Sequence, residues 1–454
     1  MKIKEISSRN DKIIQGFIEH FSMNGRPIEV SFRNLLPEIK NIDRYTHLIH
    51  SYPAKLLVHI PYFFLNNTIF SKVDDYILDP FNGSGTVLLE SLLAHRNAFG
   101  ADANPLARLI SEVKVTKLDT KLLEVELSNI KISYRKNKDV DIPDVINCDY
   151  WFPKRTQILL AKVLTTINEI ENDSIRKFMM VSFSNCVKKV SYADQRVSVP
   201  VKLNPNRYKT NSQEKNKVNN RLKYLEEIDV TEKFCEIAKE NINRFKEFET
   251  VDINGCNARI IAKDARKLSD GIDSDTVLKN DSIQLVITSP PYAGAQKYIR
   301  ASSLNLGWTE LAKSNELLLL DKVIIGRENF RKSDLSISLT GIKPADILIN
   351  KIRNINPVRA SIVFNYLIEM KSALDEMTRV LKKGGYLILI LGNNKVCNTE
   401  FNTQEYLTEY LISKGLILKF KLIDDIKSYG LMTKRNKTAD IISREWILVF
   451  QKYE

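Results

Sequence analysis

Apolar and polar positions along the chain alternate between two rhythms. Short apolar runs of strand length are followed by stretches in which apolar residues recur every three or four positions, as on one face of a helix. Tyr76–Asp79 reads as a strand, followed by a glycine-rich turn and a helix from about 86 to 95. Asn97–Ala101 reads as the next strand, and a helix follows from Asn104. Asn104 suits the N-cap, and Pro105 suits the first helical position. Further on, "ARIIAKDA" (258–265) and "IQLVITS" (283–289) read as two short buried strands. "YLIEMKSALDEMTRVLKKGG" (366–385) reads as a helix closed by Gly384 and Gly385. "YLILIL" (386–391) follows as a strand, then a helix near Thr403–Ser413, then the strands "LILKFKLI" (416–423) and "EWILVFQ" (445–451).

Strands alternating with helices predict an α/β protein with a doubly wound, mainly parallel sheet, seven-stranded by this reading. Two stretches break the rhythm, and strand signals resume after each, so both read as helical insertions. The expected organisation is an N-terminal segment with a cofactor-binding half over 1–118 and a helix-rich basic insertion over 119–254. Core strands over 255–292, a second insertion over 293–360 and a C-terminal core over 361–454 complete it.

Charge adds a partner to this picture. Across 454 residues the formal net charge is +13, which suggests a polyanion, most simply nucleic acid. The first insertion contains "KLNPNRYKTNSQEKNKVNNRLK" (202–223), where Glu214 is the only acid. Arg207, Lys209, Lys215, Lys217 and Arg221 are its candidate phosphate contacts. Lys434, Arg435 and Lys437, in "YGLMTKRNKT", are a second group. The hydrophobic share of 43% fits a soluble core. No apolar run has membrane-spanning length, and the start lacks a signal-like apolar region, so a cytoplasmic location is expected. The five cysteines are scattered with no CxxC pair and none follows a proline, so disulfides, zinc ribbons and a Pro-Cys nucleophile are not expected. The five histidines lack ligand spacing, and no metal is expected.

The candidate chemistry lies at two turns. In "DPFNGSGT" (79–86) Gly83 and Gly85 permit unusual dihedrals and close backbone approach, while Ser84 and Thr86 can cap the next helix. The turn lacks the GK[ST] ending of a phosphate loop and does not match GxGxxG. Asp79 offers a carboxylate to a cationic amine. Asp102, at the end of the next strand, has the position that commonly holds a ribose diol. Asp264, after the third strand, suits an adenine amino group. A glycine-rich turn with three strand-end acids fits a nucleoside that carries an ammonium group and no phosphate, a description that S-adenosylmethionine meets. The other turn is "TSPPY" (288–292), where two prolines end a strand and stiffen the backbone beyond it.

The chain resembles the amino-group DNA methyltransferases, which methylate the exocyclic nitrogen of adenine or cytosine. The resemblance rests on "HSYPAK" (50–55), "DPFNGSGT", "GADANP" (100–105), "KDA" (263–265) and "TSPPY", with "RVLKKGGYLILILGNN" (379–394) similar to the strand-five region. It covers roughly 250 residues of core and leaves the insertions unexplained. It implies a class I, Rossmann-like methyltransferase fold with S-adenosylmethionine as cofactor. The cofactor would be held by Tyr52, Ala54, Lys55, Asp79, Phe81, Gly83, Ser84, Gly85, Thr86, Asp102, Asp264 and Ala265. Ser289, Pro290, Pro291 and Tyr292 would form the catalytic turn. Here the cofactor half precedes the catalytic half, whereas chains of the DPFxGSGT style more often have the reverse order.

An exocyclic amino nitrogen is a poor nucleophile because its lone pair is delocalised into the ring. The Ser289 side chain and the Pro290 carbonyl are candidates to accept its two hydrogens and free that lone pair, with Tyr292 stacking on the base. A base in a duplex must first be flipped out. Serine before the prolines resembles the cytosine-N4 subgroup, with adenine-N6 as the alternative. The expected partner is double-stranded DNA, with a cognate restriction endonuclease acting on the same site. Two rivals are an RNA guanine-N2 methyltransferase, which usually has Asp before the prolines, and a non-catalytic DNA-binding relative with an emptied cofactor pocket.

Overall fold

The computed structural model describes residues 3–41, 44–53, 55–136, 139–272, 276–294, 297–328, 330, 337–426 and 443–453. Ala54, Lys434, Arg435 and Lys437 lie outside them.

In chain order the strands are β1 (Ile28–Val30), β2 (Tyr76–Asp79), β3 (Asn97–Ala101), β4 (Ala258–Ala262), β5 (Ile283–Thr288) and β6 (Leu381–Leu391). Then come β7 (Asn394–Val396), β8 (Thr399–Phe401), β9 (Leu416–Asp425) and β10 (Arg444–Lys452). Eight of them form one sheet in the order β1-β9-β10-β6-β5-β2-β3-β4, and β7 and β8 pair separately as a hairpin. Only β10 runs antiparallel to its neighbours in the large sheet. All seven strands expected from the pattern are present, and β1 adds an eighth at the edge beside β9.

Period-two alternation explains why both faces are covered. Leu78, Val286, Leu387, Leu389 and Leu448 enter one core, and the intervening Ile77, Leu285, Ile287, Ile388 and Ile447 enter the other. Buried strands of this kind need helices on both sides. One layer includes the helices His59–Leu65 and Thr86–Leu93, and the opposite layer includes Pro357–Val380 and Thr403–Ser413. A third core joins the helices of the first insertion to Leu106 and Ile110 of the helix Pro105–Val115 and to Trp308 of Tyr298–Trp308. That insertion therefore shares a core with the helix that follows β3.

One expectation fails locally. Gly384 and Gly385 do not close a helix; that helix ends at Val380. Leu381 pairs with Ile283 and Tyr386 with Leu285, so four residues bulge opposite Gln284 alone. Gly384 adopts φ +73°, and a Cβ on Gly385 would lie 2.8 Å from the Gln284 carbonyl oxygen. The glycines serve the bulge.

The chain leaves β2 outward to β3 and β4, then returns to β5 on the other side of β2. The order reverses between β2 and β5, and a crevice forms at such a point beyond the carboxyl ends of the strands. No helix among the described residues is long and apolar enough to cross a membrane.

Candidate functional site

β2 and β5 are parallel neighbours, with Leu78 opposite Val286. Their carboxyl ends therefore deliver "DPFNGSGT" and "TSPPY" side by side. Thr288 Oγ1 donates a 2.6 Å hydrogen bond to Asp79 Oδ1, and the Phe81 N–H donates to the same oxygen at 3.1 Å. Asp79 is buried, and burial pushes its carboxyl up to about 7 against the pull of the Thr288 and Phe81 donors.

Beyond these strand ends lies an open cleft. Tyr52, Phe81, Gly83, Asp102, Asp264 and Ala265 line it together with Ser289 and Pro291. The structure thus brings both turns and two of the three acids to one space. Asp79, Lys55, Ser84, Gly85, Thr86, Pro290 and Tyr292 are not among its lining residues.

Each lining group is held by its own chain neighbourhood. Asp102 accepts the Gly83 N–H on Oδ2 and the Asn104 N–H on Oδ1, both at 2.8 Å. Burial raises the Asp102 carboxyl despite these bonds. Gly83 adopts φ +52°, and the place of its missing Cβ is 3.8 Å from Tyr52 Cε1. Asn104 caps its helix as expected, accepting from the Leu106 N–H. Its Nδ2 also donates to the Tyr52 hydroxyl and to Ser302 Oγ, both at 3.1 Å. That side chain joins the "HSYPAK" segment, the end of β3 and the second insertion, and it also lines the cleft. Asp264 is held by Arg266 through Nε and NH2, at 2.9 and 2.7 Å. Arg266 reaches onward to Glu369 and to the Val323 carbonyl.

The other predicted residues have structural surroundings. Gly85, φ +78°, would place a Cβ 2.7 Å from Ser111 Cβ, so it lets the turn pack on the next helix. Neither Ser84 nor Thr86 caps the helix Thr86–Leu93: Gly85 is the N-cap residue, no side-chain cap forms, and the buried Ser84 Oγ has no hydrogen-bond partner. Lys55 donates from Nζ to the His47 carbonyl at 2.9 Å. Tyr292 donates from its hydroxyl to Glu445 Oε1 on β10 at 3.3 Å.

Several site residues escaped the sequence reading. Tyr298 and Val323–Ile325, all from the second insertion, line the cleft. Gly326 packs behind the diproline turn, where a Cβ would meet the Tyr292 carbonyl oxygen at 2.7 Å. Gly294 donates to the Gly326 carbonyl at 3.1 Å, and Asn394 Nδ2 donates to the Ala293 carbonyl at 2.9 Å. "NN" at 393–394 after a buried strand was the available signal for Asn394.

The basic candidates are mixed. Arg207 and Lys209 are exposed. Lys215 and Lys217 lie on the helix Gln213–Glu227, and Lys217 pairs with Glu214 at 3.0 Å. Arg221 is half-buried; its guanidinium donates to the Lys189 carbonyl and lies over the Tyr224 ring.

A family model described as DNA methylase matches residues 26–112. The chain is 24% identical over 444 residues to the type II methyltransferase M.MvaI of Kocuria varians, covering 91% of this chain and 92% of that protein. It is 30% identical over 155 residues to the type II methyltransferase M.MjaII of Methanocaldococcus jannaschii, covering 33% of this chain and 29% of that one. Among solved structures, an S-adenosylmethionine-dependent methyltransferase from Methanosarcina mazei aligns over 85% of this chain and 95% of its own, at 11% identity and a TM-score of 0.29. The matched family segment spans "HSYPAK", "DPFNGSGT" and "GADANP", pieces that each supply residues to the wall of the cleft. The match over residues 26–112 and the similarity to M.MvaI along most of the chain support a place in the amino-group DNA methylase family.

Proposed function

We propose that the chain transfers a methyl group from S-adenosylmethionine to the exocyclic amino nitrogen of a base flipped out of duplex DNA, with cytosine N4 as the favoured target. In this reading it is the modification enzyme of a restriction–modification system. The observation that carries it is the sharing of one cleft by Ser289 and Pro291 with Gly83, Asp102 and Asp264.

The lining residues fit the cofactor. Gly83, with no Cβ, exposes the backbone of the turn to the cleft beside Tyr52, and Asp102 keeps unused lone pairs on oxygens that its two backbone donors hold still. Asp264, fixed by Arg266, faces the same space beside Ala265. Tyr52, Phe81, Gly83, Asp102, Asn104, Asp264 and Ala265 would hold the nucleoside part. When bound, the cofactor supplies an electrophilic methyl on a sulfonium centre.

The rest of the chemistry belongs to the chain. Ser289 Oγ and the Pro290 carbonyl accept the two amino hydrogens and turn the nitrogen lone pair out of the ring system. The diproline backbone and the Gly326 and Asn394 contacts hold those acceptors in place before the base arrives, so little reorganisation is left for the reaction itself. Tyr292, tethered to Glu445, presents a ring to the base. Serine at 289 favours cytosine over adenine. Transfer is direct from sulfur to nitrogen, so no cysteine nucleophile is required.

The test incubates the purified chain with S-adenosylmethionine and unmodified duplex DNA and analyses the nucleosides by mass spectrometry. N4-methylcytidine as its deoxynucleoside is expected. N6-methyldeoxyadenosine would reassign the target base, and methylation of RNA alone would overturn the reading.

A further inference from the structure

Tyr52 borders a second cavity besides the cofactor cleft, with about 790 Å³ of open space. Its walls come from "HSYP" (50–53), from the end of the helix Asp173–Val187 with the turn after it, and from the loop 195–198. Lys188, Lys189 and Arg196 line it, and no aspartate or glutamate does.

These walls are built. Lys188 Nζ donates to the carbonyls of Val197 and Ser198 and so shapes the loop. Gln195 Nε2 donates to the carbonyls of Lys188 and Ala193. Arg196 is clasped by Asp194 through Nε and NH2, at 3.0 and 2.7 Å. His50 is buried and bonded through Nε2 to Ser184 Oγ at 3.0 Å. Burial, and then the charges of Lys55, Lys114 and Lys189, push its imidazolium form down to about 3. His50 is therefore neutral, Arg196 is already paired with Asp194 and Glu214, and the remaining positive charge of the cavity comes from Lys188 and Lys189. The Lys189 ammonium forms no ion pair with a carboxylate among the described residues. Its main chain is pinned by the Arg221 guanidinium on the carbonyl. A cation on a braced backbone in an acid-free cavity is suited to an anion.

We propose that this cavity binds a backbone phosphodiester of the substrate strand next to the flipped nucleotide, with Lys189 as its charge contact. The proposal rests on the DNA-methylase reading above. That reading places an extruded nucleotide at the diproline turn, in the cleft whose Tyr52 wall this cavity shares, and a flipped nucleotide carries its flanking phosphates with it. A phosphate held here would fix the backbone while the base enters the cleft. It would also assign a purpose to Lys189, which lies outside the lysine- and arginine-rich stretch singled out in the sequence.

Lys189→Ala and Lys189→Arg separate the outcomes. Cofactor affinity and melting temperature should match wild type in both variants. For Lys189→Ala the slope of log affinity against log salt should shrink by about 0.9, the share of one phosphate contact. That slope corresponds to duplex binding weakened roughly eightfold near 0.1 M salt. Lys189→Arg should restore most of it. A neutral methylphosphonate placed in turn at each phosphate near the target should weaken wild type at one position and leave Lys189→Ala unaffected there. If wild type binds duplex with a steep salt slope and Lys189→Ala has the same slope and affinity, the phosphate site is wrong and the methylase reading stands. If wild type itself neither binds nor methylates duplex DNA, the functional reading fails first.

Discussion

Thr288 Oγ1 donates to Asp79 Oδ1 at 2.6 Å, and both residues are buried. This one bond links the last residue of β5 to the last residue of β2, and so couples the diproline turn to the glycine-rich turn. Thr288→Val keeps the side-chain shape and removes the donor. It leaves the buried Asp79 carboxyl one partner short, a loss of roughly 1–3 kcal/mol. Urea melts should show that loss, with methyl transfer lowered more than cofactor affinity. An unchanged midpoint and unchanged transfer would show that the link is incidental.

Asp79 also predicts a pH dependence. Its carboxyl is raised from the ordinary 3.8 to about 7, chiefly by burial. The folded protein therefore holds a proton there that the unfolded chain has released, and stability falls as pH rises from about 4 to about 7 before levelling. Asp79→Asn removes this component. Its amide oxygen can accept from both Thr288 and Phe81, because both bonds go to the single atom Oδ1. Melting temperatures of the cofactor-free protein between pH 5 and 8 should decline less in Asp79→Asn than in wild type. Parallel declines would contradict the assignment.

Much of this arrangement was legible in the sequence because local chemistry sets it. The strand–turn–helix at 76–93, the Asn104 cap and the diproline stop at 290–291 each follow from residues within a few positions of one another. The features that escaped depend on distant partners. β1 has three residues and exists because Ile28–Val30 pairs with β9, nearly four hundred positions away. The glycines at 384 and 385 resemble a helix stop, yet their conformations answer to Gln284 on the neighbouring strand. Tyr298 and Val323–Ile325 read as parts of an insertion, since nothing local signals that the chain folds back over the cleft. Asp79 read as a ligand-facing acid, because which way a strand-end carboxylate turns is decided by a neighbour such as Thr288.

The two glycines of the first turn should fail differently. Both have left-handed φ, which costs an alanine roughly 1–2 kcal/mol. For Gly85→Ala the new methyl would also lie 2.7 Å from Ser111 Cβ and 3.0 Å from its Cα, an overpacking of roughly 1–3 kcal/mol more. Gly83→Ala meets nothing closer than 3.8 Å, but its methyl enters the cleft. Denaturation should show Gly85→Ala as the less stable variant. Calorimetry should show Gly83→Ala as folded with weakened S-adenosylmethionine binding. The reverse pattern would mean that Gly83 packs and Gly85 faces the ligand.

In the proposed function Tyr292 offers its ring to the base, while its hydroxyl donates to Glu445. The Glu445 carboxyl is raised by burial, and the Tyr292 hydroxyl pulls it the other way. Tyr292→Phe loses a tether of about 1 kcal/mol, so transfer should drop roughly fivefold. Tyr292→Ala also loses base stacking, a further 1–3 kcal/mol or roughly five- to 150-fold. Single-turnover rates on a DNA duplex measure both. If phenylalanine and alanine are equally damaging, the ring is not the working part.

The central claim is that the Ser289 turn activates an amino nitrogen beside a separately held cofactor. The most direct test measures, on one preparation of Ser289→Ala, both the dissociation constant for S-adenosylmethionine and the single-turnover transfer of labelled methyl to duplex DNA. The account predicts cofactor affinity near wild type with transfer reduced by at least about a hundredfold. Transfer at the wild-type rate, or loss of cofactor binding in step with loss of transfer, would contradict it.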